Sequence, residues 1–357
     1  MEAWFIRQWQ SNRPWQAVLR PLSWIFALLA ATRRALYRVG LLASVRVGVP
    51  VIVVGNITVG GTGKTPLVLA LVESFTRAGW RCGIVSRGYA RQVRTGADTQ
   101  STEQFLIRVV PASLSALDVS MVGDEAALLA ARSGVPVVVS TNRVAAARTL
   151  LREHPEVDVI ISDDGLQHYA LERDIEICVI DGGRGFGNGA LLPAGPLRES
   201  MARLRQVDAI VVNGAGDKLD LGLDLADQRV PIFSMSLGNE TLIRVHDGKS
   251  MTIEEGIEAF AAKNIFAVAG TGNPPRFFAH LSRLGFTLAA SESFTDHHPF
   301  IAGDLSTRNA DVILMTEKDA VKCKAFADDR MWFMRVDAVL PDAFEHFVVK
   351  RLSELRK

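Results

Sequence analysis

Residues 51–65, Val-Ile-Val-Val-Gly-Asn-Ile-Thr-Val-Gly-Gly-Thr-Gly-Lys-Thr, constrain the fold of this chain more than any other stretch. An apolar run of strand length enters a glycine turn, and a helical pattern opens at Gly63-Lys64-Thr65. Glycines let backbone N–H groups converge on phosphate oxygens, and the N-terminus of the following helix adds partial positive charge. The segment therefore reads as a phosphate-binding loop, with Thr58, Val59, Gly60, Gly61, Thr62, Gly63, Lys64 and Thr65 around a nucleotide triphosphate. Lys64 is expected to reach the β and γ phosphates, and Thr65 to offer its hydroxyl to Mg²⁺. The G-x-x-x-x-G-K-[ST] pattern asks for glycine at its first position, where this chain has Thr58.

Such a loop belongs at the carboxyl end of a strand in a helix-covered sheet, and the chain after residue 48 follows that plan. Apolar runs at 50–54, 83–86, 135–140, 157–162, 175–181 and 207–212 alternate with helical stretches, which predicts a doubly wound, mostly parallel α/β sheet. A second set at 232–237, 264–269, 311–316 and 331–336, with helices at 275–284 and 342–355, predicts a smaller α/β domain. At 357 residues the chain exceeds the size at which single cores usually split, about 250 to 300 residues. The polar stretch 214–227 is the expected boundary, giving an N-terminal helical segment 1–48, a P-loop domain 49–225 and a C-terminal domain 226–357. Cys82, Cys178 and Cys323 are odd in number and lack C-x-x-C spacing, so free buried thiols in a reducing compartment are expected.

The first 48 residues differ in character. Seven arginines stand there against one acid, Glu2, and Trp4, Trp9, Trp15 and Trp24 are four of the six tryptophans. Aromatic rings favour the headgroup layer and arginines favour anionic lipid. The densest apolar stretch, 21–31, falls short of the roughly 20 residues a spanning helix needs. Two readings stand: an amphipathic helix lying on a membrane surface, or a helix whose apolar face packs on the protein.

Residues 157–164, Val-Asp-Val-Ile-Ile-Ser-Asp-Asp, end an apolar strand in two carboxylates. Mg²⁺ takes oxygen ligands, so Asp163 and Asp164 are candidates to complete a site with Thr65. Guanine readers use Asn-Lys-x-Asp; the nearest string, Thr316-Glu-Lys-Asp319, has the wrong spacing, which favours ATP. Asp124, in Gly123-Asp-Glu125, reads either as a general base or as the cap of the helix that follows. In Phe294-Thr-Asp-His-His-Pro-Phe300 two adjacent histidines cannot easily face one metal, which argues against zinc. Arg87, Tyr89, Gln167, His168, Arg198 and Glu199 lie beyond strand ends or beside the glycine-rich loop 182–196, where doubly wound folds bind ligands.

Taken together, the chain resembles the tetraacyldisaccharide 4′-kinase family. The likeness runs through Gly55 to Pro66, Ser86-Arg-Gly-Tyr89, Gly123-Asp-Glu125, Asp163-Asp-Gly-Leu-Gln-His168, Asp181, Phe186-Gly-Asn188, Leu192 to Glu199, Asp296-His297 and Thr316-Glu-Lys-Asp319, over about 260 residues. The resemblance implies transfer of the ATP γ-phosphoryl group, with Mg²⁺, to the 4′-hydroxyl of an acylated glucosamine disaccharide 1-phosphate. It implies a peripheral enzyme on the cytoplasmic face of the bacterial inner membrane, with a lipid substrate and no nucleic acid. It assigns Asp124 as the base, Glu125 near the metal and Asp296-His297 to the active site. The alternative is a membrane-associated P-loop ATPase that acts as a switch or assembly protein and phosphorylates nothing.

Overall fold

A computed structural model describes residues 8–11, 14–88, 107–109, 119, 123–214, 230–306 and 309–356. In chain order the elements are α1 (Pro14–Arg38), β1 (Val51–Gly55), α2 (Lys64–Arg77), β2 (Cys82–Ser86), β3 (Ile107–Val109), α3 (Asp124–Ser133), β4 (Val137–Val139), α4 (Arg143–Glu153), β5 (Val159–Asp163), β6 (Ile175–Asp181) and β7 (Ala209–Asn213). They continue with β8 (Ile232–Arg244), β9 (Ser250–Thr252), α5 (Ile253–Phe260), β10 (Ile265–Ala269), α6 (Pro274–Leu284), β11 (Leu288–Ser293), α7 (Ala302–Ser306), β12 (Val312–Thr316), α8 (Glu317–Cys323), β13 (Met331–Val339) and α9 (Asp342–Glu354).

The strands form one sheet in the order β11-β10-β12-β13-β8-β7-β6-β1-β5-β2-β4-β3, with β9 paired to β8 outside that path. Its first part is parallel apart from edge strand β3. Successive side chains of a strand point to opposite faces. Accordingly Ile52 and Val54 of β1 pack with Leu67, Leu71 and Phe75 of α2, whereas Val51 and Val53 pack with Ala146 and Leu150 of α4. A sheet covered on both faces explains why its strands read as continuous apolar runs. The P-loop leaves β1 between neighbours β5 and β6, where the strand order reverses and open α/β sheets place their ligands.

The later strands form a second α/β unit with its own pair of cores, one around Leu242, Leu281 and Trp332, the other around Val268, Phe300 and Met315. Strand β8 joins the two units. Its first residues run parallel to β7, with Ile210 opposite Ile232, and its remainder runs antiparallel to β13, with Leu242 opposite Met334. Helix α9 then crosses back, and Phe344, Val348 and Leu352 enter the core beneath α2. All three cysteines are free and buried, as their spacing suggested, and burial pushes each thiol up to about 12.

Helix α1 inverts the usual arrangement. Its buried side chains are polar, Gln16 and Ser23, while Val18, Leu22, Trp24, Ile25, Leu28 and Leu29 are exposed. The Ser23 hydroxyl donates to the Leu191 carbonyl at 2.9 Å and accepts from the Ala194 N–H at 3.0 Å, and the Asn188 amide donates to Gln16 at 3.0 Å. Among the described residues no helix is long and apolar enough to cross a membrane.

Phe344 is 2% exposed and sits edge-on to Phe233 at 5.1 Å between ring centroids. Phe344→Ala is expected to lower unfolding free energy by roughly 3–5 kcal/mol, the usual loss for emptying a buried aromatic site. Denaturant titration measures it; a loss under about 1 kcal/mol would show that α9 is not part of the first core.

Candidate active site

The phosphate-binding loop is held from two sides. Gly60 and Gly63 take left-handed φ values of 94° and 90°. A Cβ at Gly63 would lie 2.3 Å from the Asn213 amide nitrogen, which donates to the Thr62 carbonyl at 3.1 Å. Asn213 ends β7, so the sheet itself fixes the turn from which α2 starts. Thr58 has no left-handed backbone and pairs with Leu197 in an isolated bridge, so glycine is not required where the usual pattern asks for it. The adjoining loop grips further: the Val59 N–H donates to Pro196 at 2.9 Å, and Arg184 bridges Asp181 and the Gly61 carbonyl.

Beyond the loop stand the carboxylates that end β5. The Lys64 ammonium lies 3.2 Å from Asp164, and Arg198 lies 3.4 Å from its other oxygen. Burial pushes the Asp164 carboxyl up, but Lys64 and then Arg198 outweigh it and hold the group below its ordinary range. Asp163 behaves oppositely. It is buried, accepts a hydrogen bond from the Ser86 hydroxyl at 3.2 Å, and is pushed up to about 6 by burial, then by Glu125 and Asp164. Crowded carboxylates of this kind are relieved by a divalent cation. Thr65, Glu125, Asp163 and Asp164 offer only hard oxygen donors, which suits Mg²⁺. Among the described residues no group of three or more His, Cys, Asp or Glu side chains forms a metal cage. Mg²⁺ does not need one, because it is usually bound by one or two carboxylates, waters and the substrate phosphates.

Asp124 is the first residue of α3, and Gly123, with φ 85°, is its cap. The capping role that the local sequence also allowed is therefore taken by its neighbour. The Asp124 carboxylate, 3% exposed, faces His297 across 173 positions of sequence, with Nδ1 at 2.9 and 3.0 Å from its two oxygens. Burial raises the Asp124 carboxyl, but the hydrogen bond from His297 and the nearby Lys318 and Lys322 ammoniums hold it below its ordinary value. The same hydrogen bond raises His297. His297 has φ 60°, a backbone conformation unusual outside glycine and often found at functional sites. Its neighbour His298 turns away to Asp304 at 3.0 Å, lies tilted against Phe294 and meets Phe300 edge-on.

The residues expected to contact substrate divide. Arg198 reaches Asp164, Arg87 is exposed just beyond the end of β2, and Tyr89 lies outside the described residues. His168 is driven down to about 4 by burial, then by Arg143 and Arg87, and is therefore neutral near pH 7. Gln167 and Glu199 hold each other at 2.8 Å, and Tyr169 donates to Glu199 at 2.6 Å, so this pair forms a buried brace behind the loop. Arg143, not expected from the sequence, is a buried guanidinium that donates to the Ser140 carbonyl at 2.7 Å and the Asp163 carbonyl at 3.0 Å. No local pattern marks it. Asn213, too, carries no sequence signal for its hold on the loop, and Lys318, 3.7 Å from Asp124, lies in the string Thr316-Glu-Lys-Asp319.

The arrangement combines a phosphate cradle, a magnesium-type oxygen set and a carboxylate–imidazole pair, which together suit phosphoryl transfer to a hydroxyl. A family model described as tetraacyldisaccharide-1-P 4′-kinase matches residues 15–353. A tetraacyldisaccharide 4′-kinase from Methylobacillus flagellatus is 46% identical over 353 residues, covering 99% of this chain and 96% of the relative. One from Chromobacterium violaceum is 45% identical over 353 residues, 97% of each chain. Among solved structures, the "apo" form of LpxK from Aquifex aeolicus in complex with ATP superposes with a TM-score of 0.75 at 25% identity, over 94% of this chain and 99% of that one. These likenesses do not favour the alternative of an ATPase that phosphorylates nothing. With matches running almost end to end, the chain belongs to the tetraacyldisaccharide 4′-kinase family, a group of ATP- and Mg²⁺-dependent kinases.

Proposed function

We propose that this chain transfers the γ-phosphoryl group of ATP to the 4′-hydroxyl of tetraacyldisaccharide 1-phosphate, working at the cytoplasmic face of the bacterial inner membrane. The observation that carries the catalytic reading is the Asp124–His297 pair, set beside the Asp163–Asp164 carboxylates and the P-loop lysine. In the reaction the hydroxyl oxygen forms a bond to the γ-phosphorus, the bond to the β–γ bridging oxygen breaks, and ADP leaves. Asp124 accepts the hydroxyl proton, and His297 keeps its carboxylate aimed at the nucleophile. Lys64 swings from Asp164 to the phosphates, and the amides of Gly60 to Thr65 line their oxygens. Mg²⁺, when bound, neutralises charge on the β and γ oxygens, with Thr65, Glu125, Asp163 and Asp164 as the groups that would hold it. Arg87 and Arg198 supply cations for the lipid's phosphate, and Tyr89 and His168 supply polar contacts for its sugars, while Gln167 and Glu199 brace the loop from behind.

The site takes its base from α3 in the unit that carries the P-loop and its imidazole partner from the loop after β11 in the later unit. With ATP and lipid seated between the two units, water is kept from the γ-phosphate. Helix α1 supports the membrane part of the reading. Val18, Leu22, Ile25 and Leu29 recur at helical spacing on its open side, with Trp24 and Leu28 beside them. Arginines along the segment suit anionic lipid.

Lys64→Ala is expected to lower kcat by roughly 10² to 10³-fold, as for loss of one group that stabilises developing charge, with an unchanged melting temperature. Assay with γ-labelled ATP and the lipid disaccharide decides it, and wild-type turnover would remove the P-loop from the mechanism. A pH profile tests the base. Asp124 must be ionised to accept the proton, so kcat falls as pH drops through its lowered pKa; His297→Ala removes the main lowering contact, and the acid limb should move to higher pH. An unmoved limb in the impaired variant would show that His297 does not tune Asp124. For the membrane, Leu22→Asp with Ile25→Asp should weaken co-sedimentation with anionic vesicles by about tenfold or more, since each buried apolar side chain is worth roughly 1.5–3 kcal/mol. Undiminished binding would place the contact elsewhere.

A further inference from the structure

One noted string, Thr316-Glu-Lys-Asp319, has no part in the chemistry above, yet its lysine touches more acidic groups at the site than any other described residue. The Lys318 ammonium lies 3.0 Å from Asp296, 3.6 Å from Glu125 and 3.7 Å from Asp124. Asp124 and Glu125 begin α3, whereas Asp296 belongs to the loop that carries His297. We propose that Lys318 is a positioning residue for phosphoryl transfer, whose single ammonium draws Asp124, Glu125 and Asp296 together and so holds His297 against Asp124. The proposal rests on the reading of Asp124 and His297 as the base pair.

The fold places Lys318 there by packing α8 against α3 and pinning the first residue of α8 to the end of α3. Thr316 caps α8, its hydroxyl accepting from the Asp319 N–H at 3.3 Å. At the far end of α3, Arg132 donates to Glu317 and to the Val336 carbonyl, both at 3.1 Å, and also contacts Asp337. With that end fixed and the helices packed together, the lysines of α8 lie over the N-terminus of α3, where its carboxylates are.

Charge makes the position consequential. Without Lys318, three carboxylates from two units face one another, and like charges at such distances repel. Lys322 is the other nearby cation, 3.6 Å from Asp124, but it lies 2.7 Å from Asp319. Asp319 is fully buried and also accepts from the Gly270 N–H at 2.9 Å, so Lys322 is held in place beneath the site. Among the described residues Lys318 is the only lysine or arginine that reaches Asp296. Asp296 in turn accepts from the His297 backbone N–H at 3.0 Å, in the turn where His297 has its left-handed φ. Lys318 therefore acts on the imidazole through Asp296 and on the base directly.

The test uses the full chain with ATP and the lipid disaccharide in detergent, comparing Lys318→Ala, Lys318→Arg, His297→Ala and the Lys318→Ala, His297→Ala double variant. Lys318→Ala should lower kcat by about tenfold or more with little change in KM for ATP, and the double variant should lose much less than the product of the single losses, because residues in one contact network are coupled. Lys318→Arg should recover most of the rate. Multiplicative losses, no recovery with arginine, or a raised KM for ATP at unchanged kcat would overturn the proposal. If Lys318→Ala does not fold, Lys318→Met keeps the aliphatic stem and the same cycle is run on it. Full activity in His297→Ala would remove the base pair itself, whereas an impaired His297→Ala beside an unimpaired Lys318→Ala would overturn the role of the lysine alone.

Discussion

Strand β8 is the backbone ladder on which the rest of the molecule depends. Thirteen residues long, it spends its first part as a parallel neighbour of β7 and its second part as an antiparallel neighbour of β13. Two units with separate cores thereby share one sheet. Backbone hydrogen bonds are directional, and each unit's side chains are locked by their own packing. A strand common to both therefore fixes how the loop after β11 approaches the start of α3. Helix α9 adds a second tie by returning Phe344 and Val348 to the first core. An imidazole can then meet a carboxylate 173 residues away at 2.9 Å.

Within that frame the acidic groups are poised differently by their neighbours. Asp163 and Asp164 are adjacent in sequence, yet burial with Glu125 and Asp164 raises one while Lys64 and Arg198 hold the other low. Asp164 has φ 50°, and this turn at the strand end sends its side chain toward Lys64 while Asp163 stays under the sheet near Ser86. Asp124 is kept ionised by His297, Lys318 and Lys322 despite its burial. Two carboxylates biased toward the charged form and one biased against it suit a site in which cation binding and proton acceptance are separate tasks.

Much of this was legible in the sequence, for reasons that differ by element. The P-loop and the β5 carboxylates are local patterns, and buried parallel strands announce themselves as apolar runs. The pairing of Asp124 with His297 came from resemblance, since no spacing rule links residues so far apart. Arg143 was not legible at all: its partners are backbone carbonyls of Ser140 and Asp163, and a carbonyl leaves no trace in sequence. Gln167 and Glu199 illustrate a different limit. Their residue types suit sugar binding, but only the fold braces them against each other. In α1 the sequence showed apolar residues without showing that Gln16 and Ser23 would be the buried ones.

That inverted helix bears on the nucleotide loop as well as on the proposed lipid contact. Its buried polar side, with Trp9 before it, holds the stretch from Gly187 to Ala194: the Asn188 N–H donates to the Trp9 carbonyl at 2.7 Å, and Ser23 binds Leu191 and Ala194. Gly187 is required there, because with φ 56° any Cβ would also come within 2.6 Å of that carbonyl. The same stretch continues into Pro196, Leu197 and Arg198, which bind Val59, Thr58 and Ile57. Hydrogen bonds thus run from the helix to the phosphate cradle through fewer than a dozen intervening residues, with the open apolar face on one side and the P-loop on the other. In the proposed orientation, bedding that face in lipid sets the depth of the cradle relative to the bilayer. A hydroxyl near the headgroup layer can then be reached without drawing the acyl chains into water, whose exposure would cost about 0.8 kcal/mol for each methylene.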